Sequence, residues 1–370
     1  MSLRVGIICP YSLTVPGGVQ GQVLALARAL RAGGCNARVL GPCDGPPPDS
    51  GVTPLGASLP AVANGSIAPI APDPAAQLRT LRALRDEDFD VIHLHEPLAP
   101  GPTMTAVLFR PAPLLATYHA AGGSRAYDYL KPGVRWLARR IDRNYAVSIA
   151  AKTMAQNALG GEYQVLFNGV EVPRFRNASP TPTDGPTILF VGRHEPRKGL
   201  AVLLEAHKLL ADDVRLWIGG EGPETADLRA RFAGNDRIDW LGHLTETDKI
   251  ERMSGATVFC APSLRGESFG VVLLEAMAAG TPVVASELPG YSKVARGGHD
   301  GELVPPGNSV ALAKALNRVL GDSRRSSELV DAGFERAEEF SMRRLAATYR
   351  AAYEELQRQR DPDKIRSRIV

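Results

Sequence analysis

Short apolar runs rich in β-branched residues alternate with longer amphipathic stretches along the whole chain, which predicts parallel sheets built from βαβ units. In the first half the strands are expected at Arg4 to Cys9, Ala37 to Leu40, Val91 to His95, Leu114 to Tyr118 and Tyr145 to Val147. In the second half they are expected at Thr187 to Val191, Arg215 to Ile218, Ile238 to Leu241, Val258 to Ala261 and Pro282 to Ala285. The clearest helix is Val19 to Arg31, where Val19, Val23, Leu26, Ala27 and Leu30 recur on one face. Because the pattern runs twice, and 370 residues exceed one compact core, two α/β domains are predicted: 1–168 and 169–341. A last helix from about 342, carrying Tyr349, Tyr353 and Leu356, is expected to pack back onto the first domain.

Two proline-rich stretches interrupt the alternation. Pro173 to Pro186 reads as a linker, and Gly45 to Pro74 as a long loop kept for function rather than core.

Composition narrows the class. No run of about 18 uncharged apolar residues is present to span a bilayer, and the first strand begins at Leu3, so a cytoplasmic protein is expected. The four cysteines (Cys9, Cys35, Cys43, Cys260) show no CxxC spacing, so neither disulfides nor structural zinc are expected. A net charge of only +3 gives no reason to expect a nucleic-acid partner, and a monomer is expected. Charge is nevertheless uneven: between Lys131 and Lys152 six bases face one acid, interleaved with Trp136, Leu137 and Ile141. Such a segment suits either an anionic surface or an ordinary solvated face.

Candidate chemistry lies where strands hand over to helices. Pro16-Gly17-Gly18 places two residues without Cβ at a helix start, where backbone amides can approach a pyrophosphate. Gly192 to Gly199 follows an expected strand and carries Arg193, Arg197 and Lys198, cations of the kind a diphosphate leaving group needs. Glu267 precedes a helix starting near Gly270, and Glu275 interrupts an otherwise apolar run. A buried carboxylate there must meet water, a cation or a ligand hydroxyl. His93, His95 and Glu96 share one expected strand end, but no third ligand spacing accompanies them, so no metal site is expected. Neither half carries GxGxxG with a following acid, which argues against an oxidoreductase.

Arg193, Lys198, Gly219-Gly220-Glu221-Gly222-Pro223 and the acid pair Glu267/Glu275 together resemble the retaining glycosyltransferase family 4, over nearly the whole chain. That resemblance implies the GT-B fold, two Rossmann-like domains facing a deep cleft, with no metal needed for chemistry. Within the family, Val15-Pro16-Gly17-Gly18-Val19-Gln20, Asn64-Gly65-Ser66, His93-Leu94-His95-Glu96-Pro97 and Gly266-Glu267-Ser268-Phe269-Gly270 look like the members that move mannose from GDP-mannose to phosphatidylinositol.

By that resemblance His119, Arg193, Lys198 and Glu267 are the catalytic candidates. The nucleotide sugar would be held by Gly17, Gly18, Arg193, Lys198, Leu244, Lys249, Glu267, Ser268, Phe269, Gly270 and Glu275. Tyr11, Gln20, Asn64 and Arg125 would meet the acceptor's inositol phosphate head group. A base that the resembled enzymes carry after the Asn-Gly-Ser triplet is replaced here by Ala68-Pro69. Gln77 to Arg85, with Arg79, Arg82 and Arg85 among leucines, suits either peripheral adsorption to the inner face of the cell membrane or a helix packed on its own sheet.

Overall fold

A computed structural model describes residues 2–63, 66–119 and 131–360. They form two compact units, Met1–Gly169 with Met342–Val370, and Val170–Ser341.

The first unit runs β1 (Arg4–Ile8), α1 (Gly18–Ala32), β2 (Asn36–Gly41), β3 (Val52–Pro54), β4 (Leu59–Ala63), β5 (Ser66–Ile70), α2 (Pro74–Asp86) and β6 (Val91–His95). It continues through α3 (Pro102–Phe109), β7 (Leu114–Tyr118), α4 (Lys131–Ala138), β8 (Arg143–Ala146), α5 (Ile149–Leu159) and β9 (Gln164–Val165). Seven parallel strands are ordered β3-β2-β1-β6-β7-β8-β9. The order reverses between β1 and β6, and in such sheets ligands bind beyond the carboxyl ends at that switch.

The second unit comprises α6 (Val172–Arg176), β10 (Thr187–Val191), α7 (Leu200–His207), β11 (Arg215–Gly219), α8 (Thr225–Arg231), β12 (Ile238–Gly242) and α9 (Glu246–Gly255). After these come β13 (Val258–Ala261), α10 (Val271–Ala278), β14 (Val283–Ser286), β15 (Glu302–Val304), α11 (Ser309–Gly321) and α12 (Ser323–Glu339). Its parallel sheet is ordered β12-β11-β10-β13-β14-β15. No helix of the described residues is long and apolar enough to cross a membrane.

Three expectations need correction. The stretch 45–74 holds β3 and the β4–β5 hairpin, and Ile70 of that hairpin pairs with Tyr11 in the loop after β1. Its prolines concealed this, yet Pro60 and Pro69 sit opposite one another in a two-stranded ribbon, where a missing amide can face outward. The presumed linker opens with α6, whose Phe175 is 4% exposed. One apolar anchor among polar neighbours escaped the pattern. In α2, Leu84 is buried and only Leu78 stands clear of the core, so its leucine stripe is narrower than the sequence implied.

The chain enters and leaves the second unit at one place. Val170 bridges Ser341, and its amide donates to the Phe340 carbonyl at 3.0 Å. On the first unit's side the Gln22 amide group holds Gly169 twice, donating to its carbonyl (2.9 Å) and accepting from its amide (3.0 Å). The helix α13 (Met342–Arg360) then packs on α1, burying Met342, Ala346, Tyr349, Ala352, Tyr353 and Leu356, a helical spacing of three and four.

Under α13 lies a buried polar cluster. His93 is fully buried, with Nδ1 bonded to the Tyr353 hydroxyl at 2.6 Å and Nε2 to the Thr117 hydroxyl at 2.7 Å. Thr117 Oγ1 in turn meets the Tyr349 hydroxyl at 2.9 Å. Burial is the main cause that brings the His93 pKa down to about 3, so the ring is neutral. Between about pH 3 and the ordinary 6.5 only the unfolded chain protonates this residue, so stability is complete above that window and falls as pH drops through it. Urea unfolding at pH 7.5 and pH 5 is expected to differ by about 2 kcal/mol on account of His93 alone. His93→Gln should flatten the dependence; an equal slope in that variant would refute the assignment.

Candidate active site

The strands β10 and β13 are hydrogen-bonded neighbours, so the loops leaving their carboxyl ends run side by side. They touch through backbone: the Leu264 amide donates to the Arg197 carbonyl at 2.7 Å. Gly199, at φ 68°, is required there, because a Cβ would collide with the Pro262 carbonyl. This close approach carries Lys198, at the end of a single 3-10 turn, to Glu267, with Nζ donating to Oε1 at 2.7 Å. Ser263 Oγ donates to the same oxygen at 3.0 Å, and Arg197 lies 3.6 Å away. Glu195 accepts from Arg197 Nε (2.8 Å) and forms an ion pair with Arg193 at 3.1 Å. Three cations and two carboxylates leave this cluster one positive charge in excess, suited to an anionic ligand.

Glu267 leads into α10 through Gly270, which adopts φ 99° and whose Cβ would lie 2.6 Å from the Tyr291 ring. Tyr291 shares a 3.0 Å hydrogen bond with Ser263, so the loop bearing Glu267 is braced from β14's side as well. Ser268 is half-buried beside it. Phe269 differs from its expected role: it is 1% exposed and packs edge-on against Phe340, so it anchors the loop and offers a ligand only its backbone. Motif position could not reveal that the ring points inward.

On the next turns Glu275 meets Lys249 of α9 at 3.1 Å, the two side chains being 18% and 15% exposed. Burial raises the Glu275 pKa, and the Lys249 ammonium opposes the shift. Burial works against the charge on Lys249 too, but Glu275 and Glu246 hold its pKa above the ordinary value. The carboxylate that the apolar run demanded a partner for thus has a cation. Leu244, half-buried, packs against Gly219 at the end of β11.

In the first unit Gly17 and Gly18 are exposed at the start of α1, and open space surrounds Gly18 where a Cβ would be. Gln20, an expected acceptor contact, is largely buried. Its side chain folds back over Gly17, Nε2 donates weakly to the Ser12 carbonyl at 3.4 Å, and the residue is 7% exposed. It serves to close the loop. Tyr11 is half-buried on the β5 hairpin. Asn64 and Arg125 lie outside the described residues.

His119 follows β7. Its amide donates to Glu96 Oε1 at 2.7 Å, and its ring Nε2 is bonded to His95 Nδ1 at 2.8 Å. Burial lowers its pKa to about 4, which leaves a neutral imidazole. His93 and His95 do share a face, but they stack at 4.4 Å, and their bonds run to Tyr353, Thr117 and His119. Among the described residues no group of three or more potential ligands could hold a metal ion. Sequence reasoning passed over Ser263 and Glu195, which act within their own loops on Glu267 and on Arg193 and Arg197, and Glu96 and His95, whose partner His119 is supplied only by the pairing of β6 with β7.

Known proteins resemble this chain along its length. Residues 171–336 match the family described as glycosyl transferases group 1, and residues 16–174 match glycosyltransferase family 4. The phosphatidyl-myo-inositol mannosyltransferase of Mycobacterium leprae is 42% identical over 95% of this chain and 96% of its own. That of Propionibacterium freudenreichii is 32% identical over 87% of each. Among solved structures, Anabaena HepE in complex with UDP and glucose superposes with a TM-score of 0.73 at 19% identity, covering 95% of this chain and all of that one. The fold is therefore the GT-B arrangement of two parallel-sheet units, and the chain is a glycosyltransferase belonging to family 4, alongside the phosphatidyl-myo-inositol mannosyltransferases.

Proposed function

We propose that this enzyme transfers mannose from GDP-mannose to the inositol ring of phosphatidylinositol, with retention at the anomeric carbon, at the cytosolic membrane face. The observation that carries the reading is the pairing of Lys198 with Glu267 in the loops after β10 and β13, and of Lys249 with Glu275 between α9 and α10, in a chain 42% identical to a mannosyltransferase of that name.

Departure of a nucleoside diphosphate builds negative charge on phosphate and oxocarbenium character on the sugar. Lys198 and Arg193, with the open amide edge at Gly17 and Gly18, suit the diphosphate. Glu267 suits the transferred sugar, and the backbone of Ser268, Phe269 and Gly270 supports it at the start of α10. Glu275 would hold the ribose, with Lys249 and Leu244 near the base. His119 would touch the sugar, and Tyr11, Gln20, Asn64 and Arg125 the head group.

Retention fits front-face attack. The bond from the anomeric carbon to the phosphate oxygen breaks, a bond to the inositol oxygen forms on the same face, and the acceptor proton passes to the departing phosphate. Glu267 is held through Oε1 by Lys198 and Ser263, which suits it to fix the sugar in place. The absence of a base at Ala68-Pro69 favours one other reading, a family 4 enzyme with another nucleotide sugar or a soluble acceptor such as inositol phosphate or a glycan.

Membrane contact would fall to α2. There Arg82 and Arg85 are 79% and 73% exposed beside Leu78, whereas Arg79 donates to the Leu55 carbonyl.

Incubation with GDP-mannose and phosphatidylinositol, in parallel with UDP-glucose and soluble inositol phosphate, is expected to yield a mannosylated lipid by mass spectrometry. Product only from the soluble acceptor would sink the lipid reading. Lys198→Ala should lower kcat/KM by about 2–4 kcal/mol in transition-state terms, and a wild-type value would remove Lys198 from the chemistry. Replacing Arg82 and Arg85 by alanine should weaken sedimentation with anionic vesicles, most at low salt. Unchanged sedimentation would exclude α2 as the contact.

A further inference from the structure

His119 is held at both ends, and the group that holds its ring is itself incompletely bonded. His95 is 2% exposed, gives Nδ1 to His119 Nε2 at 2.8 Å, and has Nε2 buried without a partner. Two neutral arrangements satisfy the shared bond. If His119 Nε2 carries the proton, His95 must protonate its own Nε2, leaving a buried N–H with nothing to receive it. If His95 Nδ1 carries the proton, the orphan atom is a bare lone pair instead. Orphaned buried N–H groups are rarer than under-used acceptors, so the second arrangement is favoured. It obliges His119 to carry its proton on Nδ1, an atom with no partner among the described residues.

We propose that His95 is a positioning residue which fixes His119 as the Nδ1–H tautomer, so that His119 presents a hydrogen-bond donor, and not a base, to an oxygen of the transferred sugar or acceptor. The inference rests on the active-site reading above and deepens it. Two features support it. Glu96 anchors the His119 backbone amide from a strained left-handed conformation, φ 48°, so the ring's origin is fixed as well as its rotation. Burial, together with the neighbouring His93 and His119, keeps His95 far from protonation, which excludes an arrangement with a proton on every nitrogen. Orientation of one group by a second through a single ring N–H is how imidazoles are generally aimed.

Nitrogen-15 spectra of the histidine-labelled full chain, without ligand, distinguish the tautomers directly. His119 is expected to be protonated on Nδ1 in the wild type and to lose that preference in His95→Leu. His95→Asn, which can set an amide N–H near the place of Nδ1, should restore it. Turnover should follow, with kcat about tenfold lower in His95→Leu, donor KM changed less, and most activity recovered in His95→Asn. A wild-type His119 protonated on Nε2, or a tautomer unchanged in His95→Leu, would overturn the proposal. Should the leucine variant fail to fold, the wild-type spectrum and His95→Asn still decide it. Full turnover by His119→Ala would instead overturn the active-site reading, and would do so without altering the tautomer that the spectra report.

Discussion

A carboxylate taken out of water needs a cation or hydrogen-bond donors around it, and the second unit is arranged around two such carboxylates, each met by a lysine. Glu267 finds Lys198 because β10 and β13 are adjacent and their loops touch at Gly199 and Pro262. Glu275 finds Lys249 because α9 and α10 pack together. Neither pair follows from local sequence, since 69 and 26 residues separate the partners. Breaking a largely buried pair by deleting one member leaves an uncompensated charge, which costs more than the pair itself contributes. The proposed diphosphate would have to offer Lys198 more negative charge than Glu267 does, and Ser263 and Arg197 also contact Glu267.

The first unit handles its buried polar groups in the opposite way. His93, His95 and His119 are kept neutral by burial; His93 bonds to Thr117 and Tyr353, and His95 bonds to His119. Paired charges thus characterise the second unit and neutral, fixed dipoles the first, the two kinds of group that the transfer proposed above would use for its leaving anion and its sugar.

Much of the fold was readable because a parallel strand buried on both faces is a continuous apolar run. Val91–His95, Leu114–Tyr118, Thr187–Val191 and Val258–Ala261 stand in the structure where the pattern put them. What escaped was short or broken by proline: β3 with three residues, β9 with two, and a hairpin whose strands each carry one proline. In the candidate site, residue types were readable and side-chain directions were not. Glu275 announced itself by interrupting an apolar helix, yet Phe269 and Gln20 sit in equally conspicuous motifs and turn inward, to Phe340 and to Ser12.

The helix α13 explains why the histidine cluster belongs to the chain's far end as much as to β6. Tyr349 and Tyr353 reach it only because the chain, having completed the second unit, returns beside its point of departure, where Val170 pairs with Ser341 and Gln22 clamps Gly169. His93 then takes both its hydrogen bonds from groups outside its own strand, and its ring is stacked against His95. Fixing His93 restricts His95, and His95 restricts His119. Packing of a remote helix is in this way transmitted to one imidazole through a sequence of specific contacts, each short enough to be tested by substitution.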